Sequence, residues 1–128
     1  MPVIKKKEEM PNLEELTAEI IREDKGQIGM ILTHVGVVRG TSRNGARVKG
    51  VKVRVDETRL SEILAEARKK EGIFYVEAFL REGMLSVGEI LMILAVAGDF
   101  RENVIDTLRA TLDAIKAQVT TKEELPEE

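Results

Sequence analysis

Six positively charged or titratable positions in two stretches of the chain could bind an anion. In HVGVVRG, residues 34–40, an apolar run reaches the chain's only histidine, passes Gly36 and ends on Arg39. An imidazole and a guanidinium at the end of a strand can form one wall of an anion site. In an unbroken strand they would point to opposite faces, because their separation is odd. A bulge at Gly36 would change that parity and bring them together. The plainer alternative is a core-edge histidine followed by a solvated loop arginine. The basic loop Arg39, Arg43, Arg47 that follows could attract phosphate. It lacks a glycine-rich junction into a helix of the P-loop or dinucleotide type, so a solvated hairpin tip is the competing reading.

Arg101 and Lys116 occupy the last amphipathic segment. Wound at about 100° per residue, Arg101 falls on the same side as Leu112 and Val119, and Lys116 lies about 60° away at the margin of the apolar face. Arg101 sits in the first turn, where a cation opposes the helix dipole unless an anion joins it. It can also snorkel past the helix end to pair with Glu102 or Asp99. The two cations are about 22 Å apart along the axis. In one chain they cannot grip the same small ligand, so the ligand is large or the site is shared across a dimer.

Other chemistry is poorly supplied. Without cysteine there are no disulfides, thiolate metal sites or cysteine nucleophiles. One histidine makes a zinc site improbable, and no metal or cofactor is expected. Pairs such as Asp56-Glu57 read as helix caps, and no Ser/His/Asp pattern is credible. The net charge is −3 with both signs interspersed, and aromatics are 3% of the chain, which argues against nucleic-acid binding. No apolar run approaches the ~20 residues of a membrane span, and MPVIKKKEEMPN lacks the apolar core of a secretion signal, so no membrane partner and a cytoplasmic location are expected. A charged fraction of 34% suits a thermophile.

The elements that would position these groups can be read from periodicity. Residues 1–11 form a polar arm. Asn12 and Glu15 have capping logic for a helix carrying Leu13, Leu16, Ile20 and Ile21, closed by Gly26. QIGMILTHVGVV, 27–38, reads as a long strand, RGTSRNGA as a turn and RVKGVKVRV as a half-buried strand, so 27–55 is expected to be a hairpin. Asp56 caps a helix over about 57–70 with Leu60, Ile63, Leu64 and Ala67 inward. A strand at 73–80 and the turn REGMLSVGE lead to ILMILAVA, 90–97. That run is apolar on both parities and is expected to be a central strand covered on both faces. The last helix, from about Asp99 to Val119, would turn Val104, Ile105, Leu108, Leu112, Ile115 and Val119 inward. The tail 120–128 is acidic and expected to be mobile. The result is a single α+β domain over 12–119, with helices on a mostly antiparallel sheet.

Several segments together resemble the large subunit of molybdopterin synthase. EDKGQIGMILTHVGVVRG is similar to that family's acidic-Gly start, strand and G-x-V-R ending. SEILAEARKK matches its helix. REGMLSVGEILMILAV is similar to its G-x-L-x-x-G-E turn entering an apolar strand, and the helix from FRENV to DAIK closes the match, over about residues 23–118. The resemblance implies an α/β hammerhead-like fold and a homodimer. It implies as partners a small ubiquitin-like sulfur carrier with a di-glycine tail and an anionic pterin. Sulfur from the carrier's thiocarboxylate would build a dithiolene on a cyclic pyranopterin monophosphate.

Carried over by position, Arg39 and Arg101 would bind the substrate anion and Lys116 would assist catalysis. A second catalytic lysine falls near Lys122 or on Glu123, depending on a one-residue shift. Two departures stand out. The family's histidine before the Arg101 position is Phe100 here, and its phenylalanine is replaced by His34, as if the two groups were exchanged across a pocket. The family's Pro-aromatic-Trp-Lys-Lys-Glu tail has no clear counterpart in TTKEELPEE. The resemblance therefore implies either a divergent sulfur-transferring enzyme, with His34 in the substrate pocket, or a non-catalytic dimeric relative acting as a binding or regulatory module.

Overall fold

In the computed structural model, residues 3–5 and 8–127 are described. They run β1 (Val3–Lys5), α1 (Leu13–Glu23), β2 (Met30–Val37), β3 (Val48–Val55), α2 (Glu57–Arg68), β4 (Ile73–Ser86), β5 (Ile90–Gly98), α3 (Arg101–Gln118) and β6 (Thr120–Pro126). The strands form one sheet in the order β2-β5-β4-β3-β6, with β1 added parallel to β4 and every other pairing antiparallel. The expected α+β architecture is therefore present.

β5 is the strand that the rest is built around. Its run of apolar residues on both parities leaves no polar face, so it must be covered twice. Met92, Leu94 and Val96 face the layer made by α2 and α3. Ile93, Ala95 and Ala97 face α1, through Leu16 and Ile20. Burying side chains such as Leu94, Leu80 and Leu60, all fully inaccessible, contributes about 1.5–3 kcal/mol each. Local signals hold the helices in place. Asn12 Oδ1 accepts from the Glu15 N–H at 3.0 Å, and Asp56 Oδ1 from the Arg59 N–H at 3.0 Å. The inward set expected for α2 is the buried set. In α3 the buried stripe is Val104, Thr107, Thr111 and Ile115. Leu108 and Leu112 are half-buried beside it, and Ile105 is exposed.

Two expectations need correction. Residues 27–55 do not form a hairpin. Only the tip is one: Thr41 bridges Arg47, and the Ser42 N–H donates to the Ala46 carbonyl at 2.8 Å. Beyond it the strands part, because β5 takes the pairing edge of β2 while β3 pairs with the far half of β4. The β4 strand serves both neighbours in turn, Ile73–Leu80 against β5 and Gly83–Ser86 against β3. Gly83 adopts φ 117° at this handover, a conformation that side chains disfavour. Gly50 lets β3 approach, since a Cβ there would lie 2.2 Å from the Leu85 carbonyl oxygen.

The second correction concerns the tail. Thr120–Pro126 is not a loose acidic end but β6, paired antiparallel to β3. β3 presents Lys49, Lys52 and Arg54 outward, and the tail brings Glu123 opposite Lys52 and Glu127 to within 3.2 Å of Arg47. Opposite charges across a strand pair and a ladder of backbone bonds account for the order. At the other end of the chain, the polar arm contributes a strand as well, β1.

Candidate functional site

The end of β2 is held by the turn that joins β4 to β5. The Val38 N–H donates to the Glu89 carbonyl at 2.9 Å, and the Gly88 N–H donates to the Val38 carbonyl at 2.9 Å. Glu89 also closes its own turn, its carboxylate accepting from the Ser86 N–H. Gly88, at φ 93°, allows the turn. Val38 is thus fixed and buried, and Arg39 leaves the sheet from a defined point.

The register between β2 and β5 slips between Gly36 and Val37. Gly36 faces Met92 and Val37 faces Ile90, so the extra residue is Leu91, on the partner strand. His34, before this slip, and Arg39, after it, line the same cavity.

That cavity, about 680 Å³, is bordered by His34, Arg39, Arg43, Lys116 and Lys122, with Gly36, Leu91 and Met92. A contiguous space of about 370 Å³ shares Arg39, Arg43 and Lys122 and adds Glu124. Four different segments supply the cations: the end of β2, the hairpin tip, the last turn of α3 and β6. Lys116 sits in the last turn of its helix, the favourable end of the dipole for a cation. Among the described residues no ion pair reaches Arg39, Arg43, Lys116 or Lys122.

Strand register puts Lys122 and Glu123 on opposite faces of the sheet. Lys122 pairs with Val53 and Glu124 with Val51, both buried, so these side chains share the inner face. Glu123 pairs with Lys52 on the other face.

Electrostatics follow from this crowding. The protein packed around Lys122 holds its ammonium below the ordinary lysine value. The cations Lys116 and Arg39 add to this, Glu124 opposes it, and Arg43 adds further. Partial burial lowers His34, and the Lys116 charge adds to it, so the imidazole is neutral at pH 7. Its Nε2 is buried without a hydrogen-bond partner. Four cations around one concavity repel one another, and an anion relieves that repulsion.

Residues 6–118 match the family described as MoaE protein. The chain belongs to the MoaE family. Family membership supports a role in molybdenum cofactor biosynthesis. An uncharacterised protein of Methanocaldococcus jannaschii is 28% identical over 102 residues, 77% of this chain and 86% of that protein. Molybdopterin synthase from Staphylococcus aureus is similar in fold, with a TM-score of 0.78 and 20% identity over 99% of this chain and 91% of that one. Molybdopterin cofactor biosynthesis protein E from Burkholderia multivorans gives 0.74 and 24% over 99% and 88%. A complex of subunits 1 and 2 of molybdopterin-converting factor from Helicobacter pylori gives 0.72 and 17% over 99% and 86%. At these identities the chain is a divergent MoaE.

Of the positions singled out in the sequence, His34, Arg39, Lys116 and Lys122 come together in this MoaE chain. Arg101 does not. It lies at the opposite end of α3, with its side chain 81% exposed and Nε 3.4 Å from a Glu102 carboxylate oxygen. Phe100, beside it, is 66% exposed and borders neither cavity, so within one chain it does not face His34. Arg43 was underrated by sequence reasoning. Its signal was the tight Ser42–Ala46 tip, which folds it back towards Arg39.

Proposed function

We propose that the chain is a divergent large subunit of molybdopterin synthase. In this reading it transfers sulfur from the C-terminal thiocarboxylate of a small carrier protein to a cyclic pyranopterin monophosphate. The observation that carries it is the convergence of Arg39, Arg43, Lys116 and Lys122 on one cavity in a MoaE fold. Arg39 and Arg43 hold the substrate's anionic group by forked hydrogen bonds. Lys116 and Lys122 stabilise negative charge that develops as sulfur leaves the carrier's acyl carbon, often a term of several kcal/mol. The Helicobacter pylori relative, a complex of two converting-factor subunits, supports a small partner subunit here too. Arg101, too far from Lys116 in its own chain, acts in the cavity of a second copy of the chain in a homodimer.

Incubating the protein with a thiocarboxylated carrier and the pterin precursor tests the reading, with dithiolene formation as the readout. Absence of product, with the carrier active on another large subunit, would refute it. The exposed Phe100, where the family resemblance implies histidine, favours a second reading: a non-catalytic dimeric relative that binds or regulates. Pterin binding without sulfur transfer would establish that one.

A further inference from the structure

His34 is the odd member of the cavity. Arginine and lysine side chains only donate hydrogen bonds, so Arg39, Arg43, Lys116 and Lys122 recognise acceptors alone. Among the described residues bordering this cavity, His34 has the only side-chain nitrogen able to accept a hydrogen bond, and Glu124 borders the adjoining space alone. Its Nε2 is buried and bonded to nothing. A buried polar atom without a partner is costly, and in a ligand cavity its natural partner is the ligand. The approach is kept open by Gly36. A Cβ on that residue would stand 3.4 Å from Nε2, and the strand carries none. Partial burial, and after it the charge of Lys116 from α3, disfavour a protonated imidazole, while Arg39 and Arg43 from the loop and Lys122 from β6 border the same cavity, so the ring keeps an accepting lone pair at neutral pH.

We infer that His34 is a specificity residue whose Nε2 accepts a hydrogen bond from an N–H or O–H beside the ligand's anionic group, so that the cavity selects donor-bearing anions over bare ones. The inference rests on the reading of this cavity as an anion site. A pterin monophosphate, with ring N–H and hydroxyl donors near its phosphate, has the required chemistry. A proton-free anion of the same shape does not.

Inorganic phosphate and sulfate separate the two cases, because hydrogen phosphate carries an O–H at neutral pH and sulfate carries none. Calorimetric titration of the full chain should show phosphate binding about tenfold tighter than sulfate, the effect of one hydrogen bond to a charged ligand. His34→Phe should abolish this preference, bringing phosphate affinity to that of sulfate. His34→Gln, which retains an acceptor oxygen, should keep part of it. Because the chain has one histidine, its ring ¹⁵N signals are unambiguous, and Nε2 should shift with phosphate and not with sulfate in the unsubstituted protein. Equal binding of the two anions, a preference that survives in His34→Phe, or an Nε2 signal that ignores phosphate would each overturn the inference. Failure of both anions to bind would remove the anion site and the inference together. Phosphate selectivity through His34 without sulfur transfer would leave the inference standing and remove the synthase reading.

Discussion

The two ends of α3 carry one cation each, and their surroundings are opposite. At the N-terminal end Arg101 leans on Glu102 in open solvent, next to an exposed Phe100 that provides no side-chain cap. Such a pair is worth about 0–1 kcal/mol and needs no ligand. At the C-terminal end Lys116 borders a concavity with Arg39, Arg43 and Lys122 and has no ion-pair partner among the described residues. The comparison teaches that a basic residue on a helix margin says little until its neighbours are known. One cation is already satisfied locally, and the other belongs to a group held together by the fold despite mutual repulsion.

Substitutions at the crowded end should break the comparison most visibly. Lys116→Ala and Lys122→Ala should each lower dithiolene formation by about 10²–10³-fold in single-turnover assays, the usual effect of losing one group that stabilises developing charge. In the proposed homodimer, Arg101→Ala should lose activity through the cavity of the second copy. Mixing inactive Arg101→Ala and Lys116→Ala proteins should therefore restore about a quarter of the sites, because a mixed two-fold dimer contains one intact cavity. No recovery after verified subunit exchange would place Arg101 outside the site.

A smaller effect separates the ends by pH. The native imidazole of His34 titrates below the ordinary value of 6.5, so between the two values the unfolded chain binds more protons than the native one. Stability from this group is complete above 6.5 and is lost as pH falls towards the native value. Thermal midpoints between pH 7 and 4 should fall less steeply in His34→Phe than in the unsubstituted protein. Lys122, also lowered, makes anion affinity decline with rising pH earlier than the free lysine value of 10.5 would, and Lys122→Arg should move that decline upward in a sulfate titration. The smallest change belongs to the other end: Glu102→Ala should alter stability by under about 0.5 kcal/mol in urea melts.

What could be read from the sequence depended on whether the signal was local. Asn12 and Asp56 announced their helices because a cap involves residues three positions apart. ILMILAVA declared a central strand because both its parities are apolar. The parting of β2 from β3 was hidden, since the turn at Asn44-Gly45 is real and pairing beyond it depends on competition with β5, far along the chain. The order of the tail was hidden for a similar reason. TTKEELP looks solvated by itself, and its acidic residues make sense only against Lys52 and Arg47. Lys122 and Glu123 could be told apart only once the register with Val53 and Lys52 was fixed. The cluster of Arg39, Arg43, Lys116 and Lys122 is likewise a property of topology rather than spacing.

The Ser86–Glu89 connection has no charge in contact with the cavity, yet the backbone of Val38 hangs from it at two points. Damage there, for instance exchanging Gly88 for a bulky residue, would let the strand tip swing and carry a guanidinium off target. An assay would report this as weakened ligand capture even though every ligand-binding side chain remained in place, so a defect mapped by function alone would be blamed on the wrong part of the molecule.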